Sequence, residues 1–257
     1  MVEAFEAYSE EIASRLRSLD RMAAQGGLDQ ATGILADSLA AGGVIQAFGT
    51  GHSLAFAMEL AGRAGGFIPT HAIRLQDLVL MGRHPRSALG SSEFERDSSV
   101  ADQLYDLYQI HPQDAFAIAS NSGANGSTVG LALRAQRAGH KVIAVTSLEH
   151  SRAVDSKHPS GKRLFEVADV VIDNLSPFGD AALAGEGGPA MGAVSSITAA
   201  YIAQLLTLGT ADRLRRAGAA LPVYLSSNIP EGDEHNNALE ERFGPRIKPY
   251  RYLPDGA

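Results

Sequence analysis

Five short apolar runs alternating with helical patterns predict an α/β fold: a doubly wound, parallel, five-stranded sheet preceded by N-terminal helices. The runs at 43–48, 67–75, 115–119, 141–146 and 169–173 are apolar nearly throughout. A strand half exposed to water would alternate instead, so these are strands covered on both faces. Between them lie segments with apolar residues at helical spacing, the layout of crossover connections. Two runs empty into small polar turns that open helices, Gly49-Thr50-Gly51-His52-Ser53 and Ser120-Asn121-Ser122-Gly123-Ala124-Asn125. Such turns sit where parallel sheets bind ligands, at the carboxyl ends of the strands.

Taken in order, residues 3–24 carry Phe5, Ile12, Leu16, Leu19 and Met22 at a helical period, and a second helix is expected over about 28–41 after Gly26-Gly27. These two form an arm, 1–41, packed against the rest of the chain or against another subunit; 42–257 is the ligand-binding domain. The strand at 43–48 leads into a helix over 54–64, and the break at Gly65-Gly66 leads into the second strand. Residues 76–95 read as a long loop with short elements such as 78–81, and 96–110 as a helix with Val100, Leu104, Leu107 and Ile110 on one side. The third strand, its turn and a helix to about residue 138 follow. A polar loop, 150–163, separates the fourth and fifth strands. Beyond the Gly-rich stretch 185–192 comes an apolar helix over 195–208, then a short strand over 222–225. From Asn228 onward the tail is polar and loop-like.

The totals exclude several classes. Among 257 residues there is no cysteine, which rules out disulfides and thiolate chemistry and fits a cytoplasmic protein. No apolar run reaches the roughly 18–20 residues of a membrane span, and the acidic start lacks a signal-peptide pattern. A formal charge of −7 argues against a nucleic-acid surface. It does not argue against a small anion, which backbone N–H groups and hydroxyls can hold in a local pocket.

Each turn alone is compatible with plain turn chemistry. Together they suggest one phosphate site, because adjacent parallel strands bring both to one rim. The first turn is not a dinucleotide fingerprint, since the third glycine and the acid about 20 residues on are missing, and no Gly-Lys-Ser/Thr makes it a Walker loop.

The paired pattern, Gly-x-Gly-x-Ser then Ser-x-Ser-Gly-x-Ser/Thr, resembles the sugar isomerase (SIS) domain family, whose sheet is flavodoxin-like. Phosphoheptose isomerase, the isomerase domain of glucosamine-6-phosphate synthase and N-acetylmuramic acid 6-phosphate etherase are members. The resemblance implies a sugar phosphate bound by Gly51, His52 and Ser53 and by Ser120, Asn121 and Ser122, with Asn125 where the family has a hydroxyl. Arg63-Ala64-Gly65-Gly66, His150-Ser151, Ser160-Gly161-Lys162 and Asp173-Asn174 followed by Gly179-Asp180-Ala181 extend the likeness over roughly 1–250. They match a bacterial SIS subfamily whose actinobacterial branch is associated with dehydration of N-acetylglucosamine 6-phosphate.

Sugar-phosphate chemistry of this kind removes the proton on carbon 2 of the opened sugar. A carboxylate can do so. In the etherase and the heptose isomerase a Glu lies ten residues after the turn serine; here that position is Arg63, which cannot act as a base. Glu59, one helical turn earlier, is the leading catalytic candidate, against an ion pair with Arg63. Glu95, in Ser91-Ser92-Glu93-Phe94-Glu95-Arg96, is the second, against helix capping by Ser91 or Ser92. His84 and His150 are possible ring-opening groups, and Arg63, Asp180 and Ser195 candidate sugar contacts. No spacing suggests a metal site and no cofactor is expected.

The expected activity is a lyase dehydrating an N-acetylamino-sugar 6-phosphate, with an aldose–ketose phosphosugar isomerase as the alternative and a non-catalytic phosphosugar sensor as a third reading. The resemblance also implies a homo-oligomer, dimer or tetramer, with no nucleic-acid or membrane partner.

Overall fold

Every strand of the main sheet runs parallel, in the order β2-β1-β3-β4-β5. The computed structural model describes residues 2–185 and 187–252; residue 186 in the Gly-rich stretch, the last five residues of the tail and Met1 lie outside the described residues. In chain order the elements are α1 (Val2–Ala24), α2 (Asp29–Ala40), β1 (Ile45–Gly49), α3 (Leu54–Leu60), β2 (Thr70–Ile73), α4 (Leu75–Leu80), α5 (Glu93–Arg96), α6 (Val100–Asp106), β3 (Ala115–Ala119) and α7 (Gly126–Arg137). Then come β4 (Val142–Thr146), α8 (Leu148–Arg152), α9 (Leu164–Val167), β5 (Val170–Asp173), β6 (Ala181–Leu183), β7 (Met191–Ala193), α10 (Ser195–Arg216) and α11 (Gly232–Glu240). No described helix is long and apolar enough to cross a membrane.

The period-2 rule divides each strand between two cores. Ala115, Ala117 and Ala119 of β3 face one side, with Ala47, Ile143 and Val145, against α2, α3 and α10. Phe116 and Ile118 face the other, with Phe48, Val142 and Ala144, against α6 and α7. Alanines on the first face, and Ala199 and Ala203 on α10, let that helix lie close to the sheet. Leu19, Leu28, Ala31 and Leu35 of the N-terminal helices and the turn between them belong to the same core as the strands.

Three sequence expectations change. The helix over 96–110 is interrupted, because Asp97 is extended (ψ 116°) and the chain there bends around the start of α7, where Ser127 Oγ donates to the Glu95 carbonyl at 2.6 Å. Residues 222–225 form no strand, only a bridge between Phe67 and Val223. The tail is not all loop: α11 docks through Asn236, whose side chain exchanges two 2.9 Å bonds with the backbone of Leu225.

At the amino end of the sheet lies a buried polar chain. Asp114 accepts from Val44 N and Gln46 Nε2, both at 2.9 Å, from His111 N at 3.1 Å, and from the Arg246 guanidinium. Gln46 Oε1 in turn lies 3.1 Å from His71 Nδ1. Burial, and secondarily the Arg74 charge, pull the His71 pKa down to about 3. An unfolded chain takes up a proton here below pH 6.5 and the folded one does not. The stabilisation is therefore complete above pH 6.5 and lost as pH falls toward about 3, at about 1.4 kcal/mol per pH unit. Burial raises the Asp77 carboxyl against two tyrosine hydrogen bonds, which works in the opposite sense and offsets part of the loss. Urea midpoints should fall between pH 6.5 and 4, and His71→Gln should flatten that slope; an equal slope in the variant would remove His71 as the cause.

Candidate functional site

The two turns start level because Gly49 pairs with Ala119, the last residues of β1 and β3. This is the point where the strand order reverses, since β1 leads to β2 on one side and neighbours β3 on the other, and it is where open sheets bind ligands. A narrow cleft opens there, lined by His52, Ser53, Ser120, Asn121, Asn174 and Ser195 above a floor of Phe56 and Ala119. Its volume is about 10 Å³, room for at most one water, so a sugar must sit at the mouth with its anionic end pointed in.

The second turn is braced from below. Leu164 N, at the start of α9, and Lys157 N, from the polar loop, donate to the carbonyls of Gly123 and Ala124 at 2.8 Å. Gly123 has φ +60°, and a Cβ there would stand 2.8 Å from Ser151 Oγ. The conformation and the space both require glycine.

The chain ahead of α7 leaves its N-terminus open. Asn125 stands at the N-cap position but makes no capping hydrogen bond. Its amide reaches instead toward Glu95 Oε2, at 3.4 Å. The backbone amides of Asn121, Ser122 and Asn125 find no acceptor among the described residues. Unpaired N–H groups at the positive end of a twelve-residue helix favour an anion. Ser120 Oγ and Ser122 Oγ meanwhile accept from Gly123 N at 3.2 Å and Ala124 N at 3.4 Å, and each keeps a hydroxyl proton to donate.

α10 presents a third N-terminus to the cleft, and this one is closed. Asp180 accepts from Ser195 N at 2.8 Å, Ser195 Oγ at 2.7 Å, Val194 N at 3.2 Å and Ser176 Oγ at 2.7 Å. Three of these bonds end on Oδ1 and one on Oδ2. Asp180, a sugar contact in the sequence reading, is thus occupied as a cap. It is held there at φ +71°, a conformation few side chains adopt.

The carboxylates separate clearly. Glu95 is half-buried, with Oε2 lying 3.6 Å from where a Cβ on Gly51 would be, so it stands between the first turn and Asn125 of the second. Glu59 is ion-paired with Arg63 and accepts from Gln204 Nε2 at 2.7 Å. Glu59, Arg63 and Glu95 all stand outside the lining of the cleft, and Glu59 forms the i,i+4 pair with Arg63 that its spacing allowed. His84 bonds Gln103 and His150 bonds Gly179 N, and both lie off the cleft. Asn174, unassigned in the sequence reading, lines the cleft and donates to Asn121 Oδ1 at 3.1 Å. Its position just past β5, level with the other strand ends, was the available signal.

A SIS domain model matches residues 7–147, more than half the chain. The chain belongs to the SIS domain family. This SIS protein is 40% identical over 222 residues to a UPF0309 protein of Listeria monocytogenes, covering 86% of this chain and 89% of that one. To a UPF0309 protein of Caldanaerobacter subterraneus it is 34% identical over 245 residues, covering 94% and 98%. Among solved structures, the phosphoheptose isomerase of Francisella tularensis superposes with a TM-score of 0.54 at 18% identity, over 81% of this SIS chain and 97% of that one. That of Neisseria gonorrhoeae gives 0.51 at 18% identity, over 81% and 98%. These two share the fold.

Proposed function

We propose that this SIS protein is a phosphosugar lyase that dehydrates an N-acetylamino-sugar 6-phosphate of the N-acetylglucosamine 6-phosphate type. The observation that carries the phosphate part is the uncapped N-terminus of α7, with free amides and the hydroxyls of Ser53, Ser120 and Ser122 around it. Ser53, Ser120, Ser122, Gly51, His52, Asn121 and Asn125 hold the phosphate. Ser195 and Asn174 face the sugar, and Glu95 supplies the proton chemistry. In the open-chain sugar, the Glu95 carboxylate takes the carbon 2 proton and the electron pair moves into the enol. Loss of the carbon 3 hydroxyl, protonated by the same carboxyl group, then releases water and leaves a carbon 2–carbon 3 double bond. An N-acetyl group on carbon 2 disfavours aldose–ketose exchange and makes elimination the natural outcome. The fold shared with phosphoheptose isomerases favours a second reading, an aldose–ketose isomerase in which carbon 1 is reprotonated instead.

Incubation of the chain with N-acetylglucosamine 6-phosphate, followed by mass spectrometry, tests both. Loss of one water is expected; an isomeric product would mean an isomerase, and unchanged substrate would overturn the reading. Ser53→Ala with Ser122→Ala should weaken apparent substrate affinity by more than about tenfold, the cost of two lost hydrogen bonds to a charged group. Unchanged affinity would remove the phosphate site from these turns.

A further inference from the structure

Two asparagines meet over the end of β4, Asn121 from the turn after β3 and Asn174 directly after β5, and both line the cleft. Asn174 is 2% exposed. Ser176 N donates to its Oδ1 at 3.0 Å; a backbone N–H only donates, so the atom it meets is the amide oxygen. That fixes Asn174 Nδ2 on the other branch, 3.1 Å from the Asn121 side chain. An amide NH2 group only donates, so the Asn121 atom facing it is Oδ1. Asn121 Nδ2 is left as the open end. It makes no hydrogen bond among the described residues, and it is not sealed from solvent.

An asparagine on its own can turn either branch of its amide toward a ligand, because the two have nearly the same shape. Here both residues are pinned around that choice. The Asn121 carbonyl accepts from Ser147 N and Thr146 Oγ1, both at 3.2 Å. Asn174 N donates to the Thr146 carbonyl at 3.0 Å, and Ser147 Oγ donates to the Ser176 carbonyl at 2.5 Å. A chain of hydrogen bonds with one polarity thus runs from Ser176 N through Asn174 to Asn121. It ends in an NH2 group beside the free backbone amides of the second turn.

We propose that Asn174 is a positioning residue for the anion site, holding Asn121 with its NH2 group rather than its carbonyl toward the phosphate. With the amide reversed, Asn121 Oδ1 would face the phosphate oxygens, acceptor against acceptor. The pairing makes this side of the clamp a surface of donors only, which selects an anionic group over a neutral hydroxyl. The proposal rests on the phosphate-binding part of the proposed function and not on the lyase chemistry.

The probe is glucitol 6-phosphate, an open-chain sugar phosphate without the carbonyl group that the chemistry needs. Its binding to the full chain is read by calorimetry and by NMR of the side-chain amides. In the parent, the Asn121 NH2 signal, identified by its absence from Asn121→Ala, is expected to shift as the probe saturates. Asn174→Asp keeps an oxygen for Ser176 N but sets a second oxygen against Asn121, which reverses the Asn121 amide. Its NH2 signal should then stop following the probe, and affinity should fall by about tenfold or more. The charge that this change adds acts whether or not Asn121 is present. In the Asn121→Ala chain the loss caused by Asn174→Asp should therefore be smaller by at least about threefold. An Asn121 signal that ignores the probe in the parent, which needs no change at Asn174, or losses that simply multiply, would overturn the proposal. If the losses multiply while Ser53→Ala with Ser122→Ala still weakens the probe, the phosphate site stands and only the role of Asn174 falls. Binding indifferent to the serines removes the phosphate site and this proposal with it.

Discussion

Glu95→Gln is expected to lower turnover of N-acetylglucosamine 6-phosphate by about 10²–10⁴-fold, with affinity changed only a few-fold. The amide keeps the shape and can still accept from Asn125, but it cannot carry a proton between carbon 2 and the carbon 3 hydroxyl. Glu59→Gln is the control. Its carboxylate holds Arg63 and Gln204 on the α10 side of α3, so that variant should keep kcat within a few-fold. If Glu59→Gln instead abolishes turnover and Glu95→Gln does not, the assignment of the base is reversed. In the proposed reading, substrate lacking the phosphate should lose affinity by more than about tenfold, the cost of the lost charged hydrogen bonds.

Asp114→Ala is expected to cost about 3–5 kcal/mol of stability, the usual cost of removing one partner of a buried ion pair. Arg246 and Asp114 are only 11% and 0% exposed, and the carboxylate also serves Val44 N, Gln46 and His111 N. Its loss leaves the Arg246 guanidinium with only the Gly42 carbonyl and three donors without an acceptor at once. For a chain of this length the melting temperature should fall by roughly 10 °C or more. The hub lies at the opposite end of the sheet from the cleft, so residual folded enzyme should bind substrate normally. A melting temperature within about 2 °C of the parent would show that Arg246 and the amides find water instead.

The strands and the two turns were legible because their signals are local. Apolar runs of strand length need no partner to be recognised, and Gly, Ser and Asn clustered at their ends mark the turns. What could not be read was set by contacts distant in sequence. α11 has no apolar stripe, since its inward residues include Asn236 and Glu240, and only their partners at Leu225 and Lys248 explain the helix. The Gly-rich stretch 185–192 joins and enters the antiparallel pair β6–β7, whose strands are three residues each, too short to show a period. Glu59 and Arg63 show the converse: their i,i+4 spacing alone implied that they could pair, and they do. Asn174 was hidden because its relation to Asn121 spans 53 positions.

The cap on α10 gives the mouth of the cleft a direction. Three helices begin at this rim, and each could have attracted the same negative charge. Asp180 spends that attraction within the protein and leaves a carboxylate in its place, while α7 stays open. In the proposed phosphosugar reading, α7 rather than α10 is the terminus left to take the anionic end.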